Sequence, residues 1–395
     1  MRSSNLAFSS FMSCILLSFL TGCWDSVEVE ERAFNTGIAV DLAEEQGERT
    51  TYEMTNQFVV PSGLGSATVP SGGKAFRNLH QTGESLYEIN ESISRQASDK
   101  NNIEHLDVVI ISKDIVKEPD QFANILDVFI RQQNMRRGIL LAIGDEEAKD
   151  ILNVEPEQEK VPSQYVTKLL EGNDNLITTE PIRVGDIQEA LLNNRSFIIP
   201  KIAVYSTNSI NYEGLAVFRG KTSQMVDVLE GDDAKGLNMI IGKKQQGGIV
   251  ADVEGNQATY SVLEGTSKIK LTNKDKNNLA FQVDIDVTAQ IAEFSGSVNL
   301  YEEANMHKFE KALAEEVKRI SEGTVKKVKD ELQVDVLAFD NYLRIHHYAL
   351  WKEVKANWDY GENYFAKSDI NIHVNTTVES PGSSIRVKEK DGGEN

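Results

Sequence analysis

The sequence has little cysteine, and the two cysteines it does have lie close to its start. Cys14 and Cys23 are the only thiols among 395 residues. A domain that begins at residue 23 therefore has no disulfide, and it has no cysteine nucleophile if Cys23 is itself modified. The length is sufficient for a core that folds without covalent cross-links.

The sequence also lacks long hydrophobic runs and the local motifs of common enzymes. No segment reaches the roughly 20 apolar residues that a membrane-spanning helix needs. The G-x-S-x-G, Walker and G-x-G-x-x-G patterns are absent. His346 and His347 are adjacent, so on a helix they would point about 100° apart and chelate one ion poorly. We therefore predict no catalytic residue, no cofactor and no metal site.

Positive charge is in short supply. The chain has 41 Lys and Arg against 61 Asp and Glu, a formal net charge of -20. A nucleic acid or an anionic lipid surface would be repelled, so neither is expected as the main partner. The 40% hydrophobic and 26% charged residues are typical of a globular protein.

What is present at the start is an export signal. Arg2 is the only charge before Asp25, and an apolar run lies between them. Leu20-Thr21-Gly22-Cys23 resembles the lipobox of bacterial lipoproteins, which predicts removal of residues 1–22 and acylation of the Cys23 thiol. An ordinary secretory signal and a short retained anchor are the alternatives. Serines interrupt the apolar run, which disfavours the anchor.

Residues 23–205 read as an N-terminal α/β region. Residues 33–41 and 50–60 form a plausible hairpin, and residues 61–74 have the composition of a flexible loop. Buried strands are predicted at 105–112 and 138–144, with helices before and between them that suggest crossover connections. Whether this region divides into two subdomains stays open.

A polar stretch at 206–211 marks a predicted domain boundary, and residues 212–380 read as a C-terminal α+β domain. Apolar residues alternate with polar ones over 278–291, which predicts a strand with one buried face. Residues 301–332 form the longest amphipathic helical pattern. Residues 381–395 form a polar tail. The expected fold class is mixed α/β or α+β, multidomain, with mixed sheets and packed helices.

An arginine cluster and an aromatic cluster are further candidate sites. Arg131, Arg136 and Arg137 follow the second predicted helix and are candidates for binding a partner or an anionic group. Cations near a helix C-terminus are also favourable without any ligand. Six aromatic residues precede the last strand, and core packing explains them better than ligand stacking: Tyr348, Trp351, Trp358, Tyr360, Tyr364 and Phe365.

Several segments together resemble the C subunit lipoproteins of nutrient germinant receptors in endospore-forming bacteria, the Ger(x)C-type family. They include Gly22-Cys23-Trp24-Asp25, the strand at 37–41, His105-Leu106, the strand at 214–218 and the aromatic region at 339–358. The resemblance covers nearly the whole chain. The family pattern has a glycine before the phenylalanine that opens the last of these segments, whereas Ala338 precedes Phe339 here.

The resemblance implies a non-enzymatic protein at the outer face of the spore's inner membrane, anchored through acylated Cys23 and assembled with integral membrane subunits. It also implies three α/β domains. Because the family has no established active site, the resemblance assigns none to this chain. A solute-binding lipoprotein that delivers a small molecule to a transporter is the competing hypothesis. That hypothesis predicts two similar lobes around a cleft, whereas the two halves of this sequence differ in their predicted elements.

Overall fold

The computed structural model describes residues 32–65, 73–97, 100–132, 135–172, 175–242, 246–297 and 302–379. In this part of the chain the strands form two sheets, one of nine strands and one of four. Helices pack on both sheets, and a long helix lies in the second half of the chain. The predicted fold class, mixed sheets with packed helices, is confirmed.

The strands are β1 (Arg32–Leu42), β2 (Tyr52–Val59), β3 (Phe76–Gly83), β4 (Lys100–Asn102), β5 (Val108–Ser112), β6 (Leu140–Gly144), β7 (Phe197–Ser206), β8 (Ser209–Arg219), β9 (Gln224–Leu229), β10 (Gly247–Val253), β11 (Asn256–Asn273), β12 (Ala280–Phe294) and β13 (Asp369–Glu379). The helices are α1 (Pro61–Leu64), α2 (Leu86–Gln96), α3 (Lys113–Val116), α4 (Gln121–Arg131), α5 (Ala148–Ile151), α6 (Pro162–Gly172), α7 (Val184–Leu192), α8 (Gly231–Ile241), α9 (Glu303–Lys326), α10 (Phe339–His346), α11 (Tyr348–Val354) and α12 (Tyr364–Lys367). A π-helical turn, Lys327–Glu331, continues α9, and a 3₁₀ turn, Lys355–Asn357, follows α11.

The first sheet has a parallel centre and antiparallel flanks. Its order is β3-β2-β1-β5-β6-β7-β8-β9, and β4 adds to the start of β1. Strands β1, β5, β6 and β7 run parallel, as the predicted crossovers require. The predicted hairpin of β1 and β2 is present, with Gly37 opposite Gln57.

Both faces of this sheet are covered, which explains the continuous apolar runs of its central strands. Val109 and Ile111 of β5 face one core, which α2, α4 and α7 cover. Val108 and Ile110 face the other, which α5 and α6 cover. All four side chains are fully buried.

The predicted boundary at 206–211 falls on a hairpin turn. Strands β7 and β8 pair antiparallel, and Ser206 is opposite Ser209 across Thr207 and Asn208. The first sheet thus continues into the segment that follows the turn, through β8 and β9. The division of the chain into domains at this point stays a prediction.

The second sheet lies C-terminal to the first and has the order β10-β11-β12-β13. Phe281, Val283 and Ile285 alternate along β12 and are fully buried, as the sequence pattern predicts. The last pair is parallel, with Ala280 opposite Asp369, because the chain crosses over through α9 to α12 before β13 begins.

Helix α9 packs on this sheet through Phe309, Leu313 and Val317, all fully buried. It continues as α-helix through Gly323 and ends at Lys326. None of the described helices is both long and apolar enough to cross a bilayer.

The sequence pattern also predicts a helix capped by Thr82, one helix over 336–351, and separate strands over 258–263 and 266–272. These three local predictions are wrong. Thr82 lies within β3, and the Ser85 side chain instead accepts the capping hydrogen bond from the backbone N–H of Glu88. Residues 336–351 contain two helices, because the backbone at His347 leaves the helical region. The two predicted strands are one, β11, with a register shift between Val262 and Glu264. The loop predicted at 61–74 opens with α1, and residues 66–72 lie outside the described residues.

Candidate functional site at the junction of the two halves

The arginines proposed as a partner-binding cluster lie near the start of β6, and each has a contact within the chain. Arg131 ends α4 and pairs with Asp127 at 2.5 Å. Arg136 lies 3.9 Å from Asp107, and Arg137 donates to Gln188 Oε1 at 2.8 Å. The structure does not test their binding to a partner. Cys23 lies outside the described residues.

The two adjacent histidines lie where one helix ends and the next begins. His346 ends α10, and His347 separates α10 from α11. Among the described residues no group of three or more His, Cys, Asp or Glu side chains is arranged to hold a metal ion. The aromatic residues near β13 divide into two sets: Trp358, Tyr364 and Phe365 are buried in the core, whereas Tyr348 and Tyr360 are exposed.

An acidic cleft of about 950 Å³ lies at the carboxyl ends of β6 and β7. The Lys201 side chain, 6% exposed, lies 2.8 Å from Asp145 and 3.3 Å from Glu213. Lys113 also pairs with Asp145, at 2.7 Å. Hydrogen bonds from Lys113 and Lys201 hold the pKa of Asp145 below its usual range. Much of the negative charge of this cleft is thus neutralised by the chain's own lysines.

A buried carboxylate, Asp335, organises the turn between α9 and α10. It is 3% exposed, and its two oxygens accept four hydrogen bonds. Oδ1 accepts from the backbone N–H groups of Leu337 at 3.0 Å and Phe339 at 3.4 Å. Oδ2 accepts from the backbone N–H of Asp340 and from the indole N–H of Trp358, both at 2.7 Å. Burial, and next the nearby Asp340 carboxylate, raise the pKa of Asp335.

Two more buried carboxylates join this turn to the first sheet. Asp340 Oδ2 accepts from Nε of Arg195 at 2.6 Å. Asp359 Oδ2 accepts from the Ser196 hydroxyl at 2.5 Å, and the same hydroxyl accepts from the backbone N–H of Gly220 at 3.0 Å. Burial raises the pKa of Asp359. Arg195 and Ser196 directly precede β7. These pairs therefore hold the start of β7 against residues 335–359, and we call this set of contacts the junction.

Arg219, the last residue of β8, extends the same connection. Its Nη2 donates to the carbonyl of Leu332 at 2.9 Å, and its Nη1 donates to the carbonyls of Gln333 and Asp359 at 3.3 and 3.2 Å. Leu332 directly follows the π-helical turn, where carbonyl groups lack partners within the helix. A cation at this position therefore satisfies the helix end and fastens it to the first sheet.

Beside this junction lies a groove of about 570 Å³ between the two halves. One wall comes from the end of α7 and the following loop, with Leu192, and from Lys221 in the β8–β9 turn. The other wall comes from α10 and α11, with Arg344, Tyr348 and Trp351. Trp358 and Asp359 line it where the junction begins. This groove, open to solvent and built from both halves, is the candidate functional site.

The chain belongs to a family of spore germination proteins. The family model described as the spore germination protein N-terminal domain matches residues 25–204. The model described as spore germination B3/GerAC like, C-terminal, matches residues 213–382. Together they cover most of the chain. The predicted membership in the Ger(x)C-type family of germinant receptor proteins is thus confirmed.

Relatives and a solved structure agree with this membership. Spore germination protein YndF of Bacillus subtilis is 28% identical over 389 residues, covering 92% of this chain and 94% of that protein. Spore germination protein A3 of the same organism is 25% identical over 373 residues, covering 94% and 96%. The crystal structure of the GerBC protein matches with a TM-score of 0.58 at 18% identity, over 86% of this chain and 97% of that chain. That structure therefore shares the fold.

The buried carboxylates of the junction were missed by reading the sequence. Asp335 interrupts the apolar run from Val334 to Leu337, and a charge in that position was the available signal. Asp340 follows Phe339, and Asp359 lies between Trp358 and Tyr360. An aspartate beside an aromatic residue does not indicate which distant side chain it will contact. The partners of these two aspartates, Arg195 and Ser196, are more than a hundred residues away in sequence.

Proposed function

We propose that this protein is a lipid-anchored, non-enzymatic subunit of a nutrient germinant receptor, held at the outer face of the spore's inner membrane and assembled with integral membrane subunits. The observation that carries the proposal is the match of both family domains, the first of which begins at residue 25, two residues after Cys23. A chain acylated at Cys23 would present its folded part directly outside the bilayer.

A single acyl chain binds membranes only marginally, whereas two or more anchor a protein stably. Diacylglycerol on the Cys23 thiol would meet this requirement without a membrane-spanning helix. Anchoring would also raise the local concentration of the protein at the membrane, so weak contacts with other subunits would suffice for assembly.

The buried acidic groups support a structural role over a catalytic one. Asp335, Asp340 and Asp359 are each bound to N–H or O–H donors inside the junction. A general acid or base must reach a substrate proton, and these side chains are turned away from solvent. The competing hypothesis, a solute-binding lipoprotein, predicted two similar lobes, whereas the two sheets differ in strand number and order.

The anchor is tested by Cys23→Ala in the full chain, produced in a spore-forming host. We expect the wild-type protein in the membrane fraction of spores, with a mass that includes diacylglycerol, and the variant released to the soluble fraction. Cys14→Ala is the matched control, because it removes the other thiol and leaves the residues around Cys23 intact. Equal membrane retention of Cys23→Ala, with a mass showing that the signal has been removed, contradicts lipid anchoring.

The receptor role is tested separately by purifying the wild-type protein from spore membranes in mild detergent. We expect polytopic membrane subunits to accompany it. Titration calorimetry of the protein without its lipid should show no saturable binding of amino acids or sugars. Saturable binding, together with absence of membrane subunits, would instead support the solute-binding hypothesis.

A further inference from the structure

Three positively charged side chains line the groove between the two halves, and no described acidic side chain pairs with them. Lys221 and Lys355 are exposed on opposite walls, and the guanidinium of Arg344 donates to the neutral amide oxygen of Asn341 at 2.7 Å. Among the described ion pairs, none involves these three cations. In a chain of net charge -20, this groove therefore favours carboxylates.

The acidic groups near the groove are already engaged. Glu189 lies 3.8 Å from Arg195, which also binds Asp340. Asp359 lines the groove, but its Oδ2 accepts from Ser196 and from the backbone N–H of Asp335. Asp359 is thus held in the junction, and Glu189, 62% exposed, has Arg195 as its ion-pair partner. Neither carboxylate pairs with Lys221, Arg344 or Lys355 among the described ion pairs, so these cations can bind negative groups from outside.

The rim of the groove is apolar and unusually exposed. Among the residues that line the groove, Leu192 is 76% exposed, Tyr348 59% and Tyr360 46%. Tyrosine, tryptophan and arginine are the residues that dominate binding energy at protein interfaces. A small molecule inside the groove would leave much of Leu192 and Tyr360 in water, whereas a polypeptide lying along the groove could cover them.

We propose that this groove, lined by Leu192, Lys221, Arg344, Tyr348, Trp351 and Lys355, docks a segment of a partner protein. That segment carries at least two carboxylates next to an aromatic or branched aliphatic side chain. Its carboxylates bind the cations of the two walls, and its apolar side chain packs against Tyr348 and Trp351. The identity of the partner as an integral membrane subunit rests on the proposed function; the chemistry of the segment rests on the groove.

Docking at this place would reach both halves of the protein at once. Lys221 belongs to the turn after β8, and Lys355 follows α11. A segment that binds both therefore bridges the junction that Arg195 and Asp340 hold from within. Trp358 is one of the residues that line the groove, and its indole N–H donates to buried Asp335.

The first test reverses one charge on each wall. The full-length double variant Lys221→Glu/Lys355→Glu is purified from spore membranes, and the accompanying membrane subunits are quantified. We expect their yield to fall about tenfold, because two attractive contacts become repulsive. The matched control is Lys268→Glu/Lys276→Glu, which makes the same charge change at exposed sites of the second sheet and its turn, and it should retain the wild-type yield.

The outcomes separate this inference from the proposed function. If the wild-type protein itself purifies without membrane subunits, the proposed function fails. If the wild type and both double variants retain them equally, the receptor role stands and the docking groove is wrong.

The second test identifies what occupies the groove. A photoreactive phenylalanine analogue replaces Tyr348, and as a control replaces Tyr205, which is 78% exposed at the end of β7. Cross-linked peptides are identified by mass spectrometry of spore membranes. An acidic segment of a membrane subunit attached at position 348 and not at 205 supports the proposal. Attachment to lipid, to a second copy of this chain, or equally at both positions overturns it.

Discussion

The indole N–H of Trp358 donates to Oδ2 of Asp335 across 2.7 Å. This bond joins the aromatic segment before β13 to the turn between α9 and α10, within a region where Asp335 is 3% and Trp358 is 4% exposed. Because Trp358 is among the residues that line the groove, the geometry of the groove depends on a carboxylate that solvent does not reach. The stability of the junction is therefore the property to test first.

Replacing Asp335 by asparagine should destabilise the protein strongly. Each carboxylate oxygen accepts two hydrogen bonds, so the amide NH₂ of asparagine faces two N–H donors in either orientation. We expect the free energy of unfolding to fall by about 2–3 kcal/mol, measured by urea denaturation with tryptophan fluorescence. Asp330→Asn, at a side chain 49% exposed, should change it by less than about 0.5 kcal/mol. Equal effects of the two changes would refute a special role for Asp335.

Arg195→Ala should remove the partner of a buried carboxylate. Asp340 is 6% exposed and accepts from Nε of Arg195 at 2.6 Å. A buried charge left alone costs several kcal/mol, and the partial exposure of Arg195 lets water offset some of that, so we expect a loss of roughly 2–4 kcal/mol. Arg131→Ala breaks a solvent-exposed pair on α4 and should leave the unfolding midpoint unchanged. The prediction fails if the two alanine variants unfold at the same urea concentration.

Two glycines on packed helices should respond in opposite directions to alanine. A Cβ at Gly236 of α8 would lie 2.1 Å from Thr324 Oγ1 and 2.8 Å from the carbonyl of Ile320, so α8 and α9 must separate. We expect Gly236→Ala to cost about 1–3 kcal/mol. At Gly323 of α9 nothing lies within 4 Å of the added Cβ, and alanine should stabilise the helix by about 0.5–1 kcal/mol. Thermal unfolding of both variants measures the difference, and a shift of the same sign in both would be incompatible with this packing.

Ala338→Gly should stabilise the protein. Ala338 precedes α10 with φ 64° and ψ 22°, in the left-handed region that glycine adopts without a steric cost. In the family pattern that this segment resembles, glycine precedes the phenylalanine. The left-handed conformation is unstrained for glycine, whereas it is strained for Ala338 in this chain. We expect a gain of up to about 1 kcal/mol, against a loss of about 1 kcal/mol for Ala314→Gly within α9. Both variants are compared with the wild type by thermal unfolding in a calorimeter. Destabilisation by Ala338→Gly would argue against strain at this turn.

Asp41 should make stability depend on pH between about 4 and 6. It is 2% exposed and accepts from the backbone N–H groups of Ala148 and Lys149 at 2.5 and 3.0 Å. Burial raises its pKa to about 6, above the ordinary value near 4. The unfolded chain therefore releases a proton that the folded chain retains, and the free energy of unfolding falls as pH rises through this range, by about 2–3 kcal/mol from this group.

In Asp41→Asn this contribution disappears. Relative to the wild type, the variant should gain about 2–3 kcal/mol between pH 4 and pH 7, measured by urea denaturation at several pH values. For Asp114→Asn, at a side chain 73% exposed, the difference from the wild type should stay constant with pH. A constant difference for Asp41→Asn as well would show that burial does not shift this carboxyl group.

The sequence predicted those elements whose signal is local. The apolar runs of β5 and β6 and the alternation in β12 each follow from burial on two faces or on one, and all three strands are present. Strand β3 was missed because none of its residues is fully buried and only Phe76 and Leu79 among them are large apolar residues. The segment forms a strand because it pairs with β2, although its own residues show no strand pattern.

The junction could not be predicted because it depends on contacts between distant segments. Nothing in the residues around Arg195 indicates that this side chain, rather than Arg136 or Arg137, meets a buried carboxylate. The groove has the same origin: Leu192 and Tyr348 are ordinary surface residues in sequence, and only the approach of α7 to α11 makes them neighbours.

The parallel pairing of β13 with β12 has a consequence for synthesis of the chain. The chain completes β12 at residue 294, but its partner begins at residue 369. During that interval β12 presents an unpaired backbone edge, which is a template for intermolecular pairing. The edge of β12 is therefore paired only after residues 369–379 have been synthesised. A chain truncated before these residues should aggregate rather than fold.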